Sequence, residues 1–115
     1  MWIFTEAGFI SAVRKTENPD VITVRSRDRD SLEPLASAAG VEIARSPYGD
    51  YPYRAFIQPE VFAGWVSEVA TSIDYSNFKS HIARSRDWDY AHYLGEVWSV
   101  MLHTEDEDAR IIHQA

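Results

Sequence analysis

The spacing of hydrophobic residues along the chain changes near Pro59. Before this proline, apolar and polar residues alternate in several short runs, as in strands with one buried and one wet face. After it, apolar residues recur every three or four positions, which is typical of amphipathic helices. The pattern therefore predicts an α+β protein with its strands mostly in the first half and its longest helices in the second.

The predicted strands are short runs rich in β-branched and aromatic residues. They cover residues 2–5, 9–14, 21–27, 41–45 and 53–58. We expect a turn at 18–20, where Asn, Pro and Asp follow one another. Pro52 has no N–H to donate to a ladder, so it marks the start of the last strand. On that strand Tyr53 should face the core and Arg54 the opposite, wetter side.

A first helix is predicted between the third and fourth strands, over residues 32–39. Asp30 or Ser31 can cap its start, and Gly40 can end it. The second helix begins at Pro59, because proline is well tolerated in the first turn. These signals give the order ββ(β)αββ followed by helices.

Two further helices are predicted by polar residues that precede apolar stripes. Ser76 or Asn77 can cap a short helix, and Asp87 can cap a long final one. Because they belong to apolar stripes, Trp65 and Trp98 are expected in the core. Trp2, on the first strand, is a candidate core residue as well.

The order of elements resembles a ferredoxin-like sandwich. We expect an antiparallel sheet of four to five strands, in a ββαββ arrangement, with the C-terminal helices packed on one face. Residues 1–104 should form a single domain. The acidic segment 105–115 loses the helical period and is expected to fray.

Composition limits the chemistry of the chain. Its 115 residues are 45% hydrophobic, which is enough to bury a core without covalent staples. There is no cysteine, so disulfides, thiol catalysis and cysteine-ligated zinc are excluded. No apolar run approaches the ~20 residues of a membrane span, and the start lacks the basic and apolar regions of a signal peptide. We expect a cytoplasmic protein with no membrane partner.

The net charge of −7 is unevenly distributed. Residues 1–58 hold seven Lys/Arg and eight Asp/Glu, whereas residues 59–115 hold four and ten. An acidic chain repels phosphate backbones at long range, which disfavours nucleic acid as a partner. The first half can still present a basic face to a small anion.

The histidines do not predict a metal site. His92 and His103 share one face of the last predicted helix, but their spacing separates them by ~16 Å. The chain also lacks the His-Glu-x-x-His motif of helical zinc sites. Neither a metal nor a cofactor is predicted.

A basic and polar set is the strongest candidate for a ligand site. Its members are Arg25, Arg27, Tyr51 and Arg54. If their strands are neighbours, the three arginines meet on one sheet face, where guanidinium groups can bind carboxylate or phosphate in a bidentate manner. The alternative is that they pair with nearby aspartates on a solvated face.

Two other places are candidates for contact. Asp74, Asn77 and Lys79 lie at a helix break, where they can form a ligand-contacting loop or merely satisfy backbone groups. Trp88 stands between two aspartates at a helix start, and an exposed tryptophan commonly marks a contact surface. It is the candidate interface residue.

Several motifs together resemble a family of small bacterial proteins that has no assigned activity. They are Trp2-Ile3-Phe4-Thr5, Gly8-Phe9 with Ser11 and Val13, Thr23-Val24-Arg25 with Arg27, Asp50-Tyr51-Pro52-Tyr53-Arg54, Asp74-Tyr75-Ser76-Asn77-Phe78-Lys79, and Tyr93 with Val97-Trp98. The resemblance covers nearly the whole chain. It implies one compact domain and no particular chemistry.

No catalytic fingerprint is found, whether a nucleophile elbow, a phosphate-binding loop or a dinucleotide-binding motif. The leading hypothesis is therefore a small non-catalytic binding module whose partner is another protein or a second copy of itself. The alternative is an enzyme or sensor for a small anionic metabolite that uses the arginine-lined sheet face.

Overall fold

The computed structural model describes residues 1–47 and 49–114. The chain forms two compact units, Met1–Asp74 and Tyr75–Ala115. We call them the sheet unit and the helical unit. Among the described residues, no helix is both long enough and apolar enough to cross a membrane.

The sheet unit contains a five-stranded antiparallel sheet, which confirms the α+β class. Its strands are β1 Trp2–Thr5, β2 Gly8–Lys15, β3 Asn18–Ser26, β4 Ala44–Arg45 and β5 Tyr53–Ile57. They lie in the order β1-β2-β3-β5-β4. The ferredoxin-like arrangement is not confirmed, because that fold contains split βαβ units with parallel neighbours. Every pairing in this sheet is antiparallel.

The turn expected at 18–20 is wrong by two residues. The chain turns at Thr16 and Glu17, and Pro19 is the second residue of β3. Proline is tolerated there because the first residues of a strand need not donate to the ladder. Arg14 helps to hold this end of the hairpin, since its guanidinium donates to the carbonyl of Pro19 at 2.5 Å.

Two helices belong to the sheet unit, α1 Arg29–Ala39 and α2 Pro59–Thr71. Helix α1 begins three residues before its predicted start, with Asp28 as its N-cap residue. It ends as expected at Gly40, whose φ of 67° is a left-handed conformation that glycine adopts without strain. Helix α2 begins at Pro59, as predicted.

The core of the sheet unit lies on the face of the sheet that the two helices share. Its buried members are Ile10, Ala12, Val24, Leu32, Leu35, Ala55, Ile57 and Phe62. Tyr53 and Trp65 pack against this cluster and are partly buried. The predicted facing of β5 is thus confirmed, with Tyr53, Ala55 and Ile57 toward the core. Burying these apolar side chains supplies the main stabilisation of the unit.

The helical unit contains α3 Phe78–Ser85, α4 Trp88–Met101 and α5 Glu107–Gln114, with a turn of 3₁₀ helix over Leu102–Thr104. The predicted caps are confirmed, because the Asn77 side chain accepts from Ser80 N–H at 2.9 Å and that of Asp87 from Tyr90 N–H at 2.6 Å. Helix α5 occupies most of the acidic segment in which we expected fraying.

Helices α3 and α4 pack through a small core, formed by Ile82, Ala83, Ala91 and Leu94. The prediction that Trp98 belongs to the core is wrong, because 58% of its surface is exposed. Helix geometry gives the reason. At 1.5 Å per residue, α3 is about 12 Å long and α4 about 21 Å, so α3 covers only part of α4 and meets Trp98 near its own first turn, through the side chain of Lys79.

Candidate functional site

The pairing register brings the predicted arginines together on the side of the sheet opposite α1 and α2. Arg25 on β3 lies directly opposite Arg54 on β5 and, on its other side, opposite Ser11 on β2. Directly opposed residues of antiparallel strands project to the same face. Arg27 is two positions beyond Arg25 and contacts the same ring, that of Tyr51. We call Arg25, Arg27, Arg54 and Tyr51 the arginine face.

The loop Gly49–Tyr51 touches each of the three arginines. Arg27 donates a hydrogen bond to the carbonyl oxygen of Asp50. The Asp50 carboxylate lies 4.0 Å from the Arg25 guanidinium, at the outer limit of an ion pair. A Cβ placed on Gly49 would stand 3.2 Å from Nη2 of Arg54. The glycine therefore lets the backbone approach this guanidinium closely.

Tyr51 fixes two of the guanidinium groups by stacking. The Cζ atoms of Arg25 and Arg27 lie 4.5 and 4.6 Å from the centre of its ring. The ring itself is buried and stands 6.4 Å from that of Phe9. A cation above an aromatic ring is attracted by the ring quadrupole, and Arg also stacks on it through its plane. Tyr51 is thus a support for the arginines more than a free ligand contact.

Three buried polar atoms on this face have no hydrogen-bond partner among the described residues. They are Nε of Arg25, Nε of Arg54 and Oγ1 of Thr23. Leaving a buried donor unpaired costs ~1–3 kcal/mol, and more for a charged group. Nearby, Ser11 Oγ accepts from Nη2 of Arg25 at 2.8 Å, so its own hydroxyl hydrogen is free to donate elsewhere. The face carries more donors than acceptors.

Sequence reasoning missed a group of aromatic residues on the same face. Trp2 lies opposite Ser11, and Phe4 lies opposite Phe9. Phe9 meets Phe4 in a stacked contact of 4.8 Å and Trp2 edge-on at 5.5 Å. We call Trp2, Phe4 and Phe9 the aromatic strip. Its signal was the period of two, which places residues 2 and 4 on one side of β1, but the strand order was needed to bring them beside the arginines.

The residues predicted at the helix break serve other roles in the structure. Asn77 caps α3. The ammonium of Lys79 lies 4.7 Å above the ring of Trp98. Tyr75, beside them in the sequence, stacks on His81 at 4.5 Å. Asp74 is exposed and is the last residue of the sheet unit. Asn77 thus satisfies a backbone group, whereas Lys79 contacts an aromatic ring of α4.

Trp88, the candidate interface residue, is 78% exposed. It borders an open groove of about 730 Å³ that lies within the helical unit. The groove is lined by small residues of both helices, Ala83, Ala91 and Gly95, and by larger ones, including Lys79, Trp88 and Val100. A methyl group added at Gly95 would meet no atom within 4 Å, so the groove has free space above this residue.

The arginine face is thus a set of oriented cationic donors with an aromatic neighbour, held by a loop and a sheet. We compared the chain with models of known protein families, with curated proteins and with solved structures, and none of the three searches found a match. The resemblance to the small bacterial family stays a prediction.

Proposed function

We propose that this protein is a binding module that holds an anionic group, a carboxylate or a phosphate, on the arginine face, and that it acts by binding and not by catalysis. The observation that carries the proposal is the direct opposition of Arg25 and Arg54 on neighbouring strands. Like charges in directly opposite positions destabilise a sheet. A bound anion between them removes that cost.

Ion-pair contacts do little to neutralise the arginine face. Within residues 1–47 and 49–114, Asp50 is the acid in ion-pair contact with these arginines, and its carboxylate is 67% exposed. An exposed pair at this distance contributes little, with a usual range of about 0–1 kcal/mol. The Arg25 side chain, by contrast, is only 12% exposed. A largely buried guanidinium with a weak partner favours a further anion.

The arginine side chains are also held in place before a ligand binds. The ring of Tyr51 contacts the guanidinium groups of Arg25 and Arg27, and the carbonyl of Asp50 accepts a hydrogen bond from Arg27. Immobilising one flexible side chain on binding typically costs about 0.5–1.5 kcal/mol, and side chains that are already held avoid part of this cost. Arginine in fixed orientation is well suited to bidentate contact with planar oxyanions.

The proposal is tested by thermal unfolding in phosphate, citrate and acetate, with ionic strength matched by sodium chloride. We expect at least one of these anions to raise the melting temperature beyond the chloride control. Arg25→Ala and Arg54→Ala should each reduce that rise, and Arg54→Lys should restore only part of it, because lysine lacks the bidentate fork. Arg84→Ala is the matched control, since this exposed arginine belongs to α3.

Asp50→Asn gives a test of opposite sign. The variant keeps the backbone carbonyl that accepts from Arg27 and removes the carboxylate near Arg25. That carboxylate competes with an incoming anion, so its loss should tighten anion binding about two- to five-fold. Weaker binding by this variant, or no anion effect in the unmodified protein, contradicts the proposal.

The helical unit supports a second candidate function, contact with another protein or with a second copy. The C-terminal end of α4 and the first residue of the following 3₁₀ turn leave several large apolar side chains exposed: Val97, Trp98, Val100, Met101 and Leu102. Exposed apolar residues that are contiguous commonly mark an interaction surface. Sedimentation of the purified protein tests self-association. A single monomeric species at high concentration removes that version of the candidate, and Trp98→Ser should shift any oligomer toward monomer.

A further inference from the structure

The aromatic strip and the arginine face form one continuous surface across the sheet. Trp2, Ser11, Arg25 and Arg54 stand in one line across β1, β2, β3 and β5, since each is the direct partner of the next. Neighbouring strands are about 4.8 Å apart, so the backbones of Trp2 and Arg25 are separated by about 10 Å. An apolar end and a cationic end therefore lie within the span of one small molecule.

Between Trp2 and Arg25 lies the short polar side chain of Ser11. Ser11 and Thr23 are each 1% exposed, so the side chains around them on this face cover both. Thr23 Oγ1 is without a partner in the described residues, and Ser11 retains a hydrogen to donate.

The exposure of the aromatic strip is the second argument. Trp2 is 70% exposed, and Phe4 is exposed as well, although Phe9 already supplies both with a ring contact. The strip thus presents an open aromatic edge and face next to the partly buried Arg25 and Arg54. Flat apolar groups pack on such rings in offset or edge-on contacts. A purely polar anion such as phosphate would leave the strip unused.

We propose that the ligand of the arginine face is an acid whose anionic group is joined to a planar aromatic group. The anionic group binds between Arg25 and Arg54, and the ring packs on Trp2 and Phe4. The inference rests on the proposed function, because the acid group is held by the same two arginines. It adds the chemical class of the remainder of the ligand, an aromatic ring one short linker away from the acid.

The experiment compares three probes that separate the two ends of the ligand: phenylbutyrate, butyrate and phenylbutanol. Binding is followed by chemical-shift titration, in which the indole N–H signal of Trp2 is assigned by its loss in Trp2→Ala. We expect phenylbutyrate to bind about ten-fold more tightly than butyrate, as a well-packed aromatic contact allows. It should also bind about ten-fold more tightly than phenylbutanol, which lacks the charge that the arginines recognise. The indole signal of Trp2 should move with phenylbutyrate.

Two variants locate the ring. Trp2→Ala should remove most of the ten-fold advantage of phenylbutyrate and leave butyrate binding unchanged. Trp88→Ala is the matched control, because this tryptophan is also exposed but belongs to the helical unit, and it should change neither. Trp2 is exposed, so its replacement should leave the fold intact, which the remaining amide signals report directly.

The possible failures are distinguishable. If butyrate and phenylbutyrate bind equally and Trp2→Ala has no effect, the inference is overturned and the proposed function stands. Failure of both carboxylates and of inorganic phosphate to bind overturns both. Equal binding of phenylbutanol and phenylbutyrate overturns the role of the arginines. If a single-stranded oligothymidylate binds and phenylbutyrate does not, the proposal of a small aromatic acid is overturned and the ligand is a nucleic acid.

Discussion

The two units of this protein use their apolar residues in opposite ways. In the sheet unit, residues such as Ile10, Leu32 and Ala55 are fully buried, and the exposed aromatic residues stand mainly on one face of the sheet. In the helical unit, Ile82 is fully buried, but much of the apolar stripe of α4 is exposed. The first unit has a core that can support a rigid site. The second has more apolar surface than its own packing uses.

This difference indicates where each kind of recognition belongs. A preorganised site for a small ligand needs side chains held by packed elements, and the arginine face has a sheet below it and a loop against it. A contact with a large partner needs exposed apolar area, which α4 supplies. The two candidate functions therefore belong to different units, and substitutions can address them one at a time.

The largest expected effect is the loss of a core leucine in the sheet unit. Leu32 is fully buried, so Leu32→Ala should destabilise that unit by about 3–4 kcal/mol. Leu94 belongs to the smaller core of the helical unit, and Leu94→Ala should cost about 2 kcal/mol there. Amide hydrogen exchange measures both, because it reports the opening free energy of each unit separately. Equal losses would mean that the two cores are of similar depth.

Two tryptophans give the next comparison. Trp65 packs against the core of the sheet unit, and Trp65→Ala should cost about 2 kcal/mol, less than for a fully enclosed ring. Trp98→Ala should cost less than about 1 kcal/mol, since most of this ring is in solvent. Denaturant unfolding compares the variants. A larger loss for Trp98 would show that the exposed stripe of α4 is covered in solution.

Local signals in the sequence were sufficient to predict most of the elements. Capping residues gave the starts of α3 and α4, Pro59 gave that of α2, and alternation gave the facing of Tyr53 and Arg54. Each of these features is decided within a few residues of the chain. The strand order was not predictable in this way, because pairing depends on which strands meet in the folded sheet.

The same limit explains what was missed at the site. Arg25 and Arg54 were predicted to share a face if their strands are neighbours, and the register places them opposite one another. Trp2 was taken as a core candidate because an apolar residue on a strand is more often buried than exposed. Its true facing follows from its pairing with Ser11 on β2, since both residues project from the face of the sheet opposite α1 and α2. Trp98 was misplaced because its periodicity does not reveal how long the partner helix is.

Two glycines, one in the loop beside the arginine face and one in α4, should respond to replacement by alanine in opposite ways. Gly49 has a φ of 95°, and a Cβ there would crowd Nη2 of Arg54. Gly49→Ala should therefore cost about 1–2 kcal/mol and weaken anion binding. Gly95→Ala should instead stabilise α4 by about 0.5–1 kcal/mol, because the added methyl meets no neighbour within 4 Å. Thermal melts with and without anion test both signs. A neutral Gly49→Ala would contradict the close approach of the loop.

The smallest expected effect concerns the pH dependence of the sheet unit, at the turn between β2 and β3. A hydrogen bond from its own backbone N–H holds the pKa of Glu17 below the ordinary value, with smaller contributions from the Thr16 hydroxyl and from the charges of Lys15 and Arg54. Because the folded-state pKa is lowered, the ionised carboxylate favours folding above its unfolded-state pKa of about 4.3. That contribution is lost as the pH falls through the folded-state pKa. Glu17→Gln should therefore lower stability slightly at neutral pH, leave it unchanged at low pH, and so flatten the fall in stability below about pH 4.5. Melting temperatures between about pH 3 and pH 7 measure this, with Glu60→Gln as an exposed control on α2. An equal flattening in the control would assign the acid sensitivity to net charge and not to this turn.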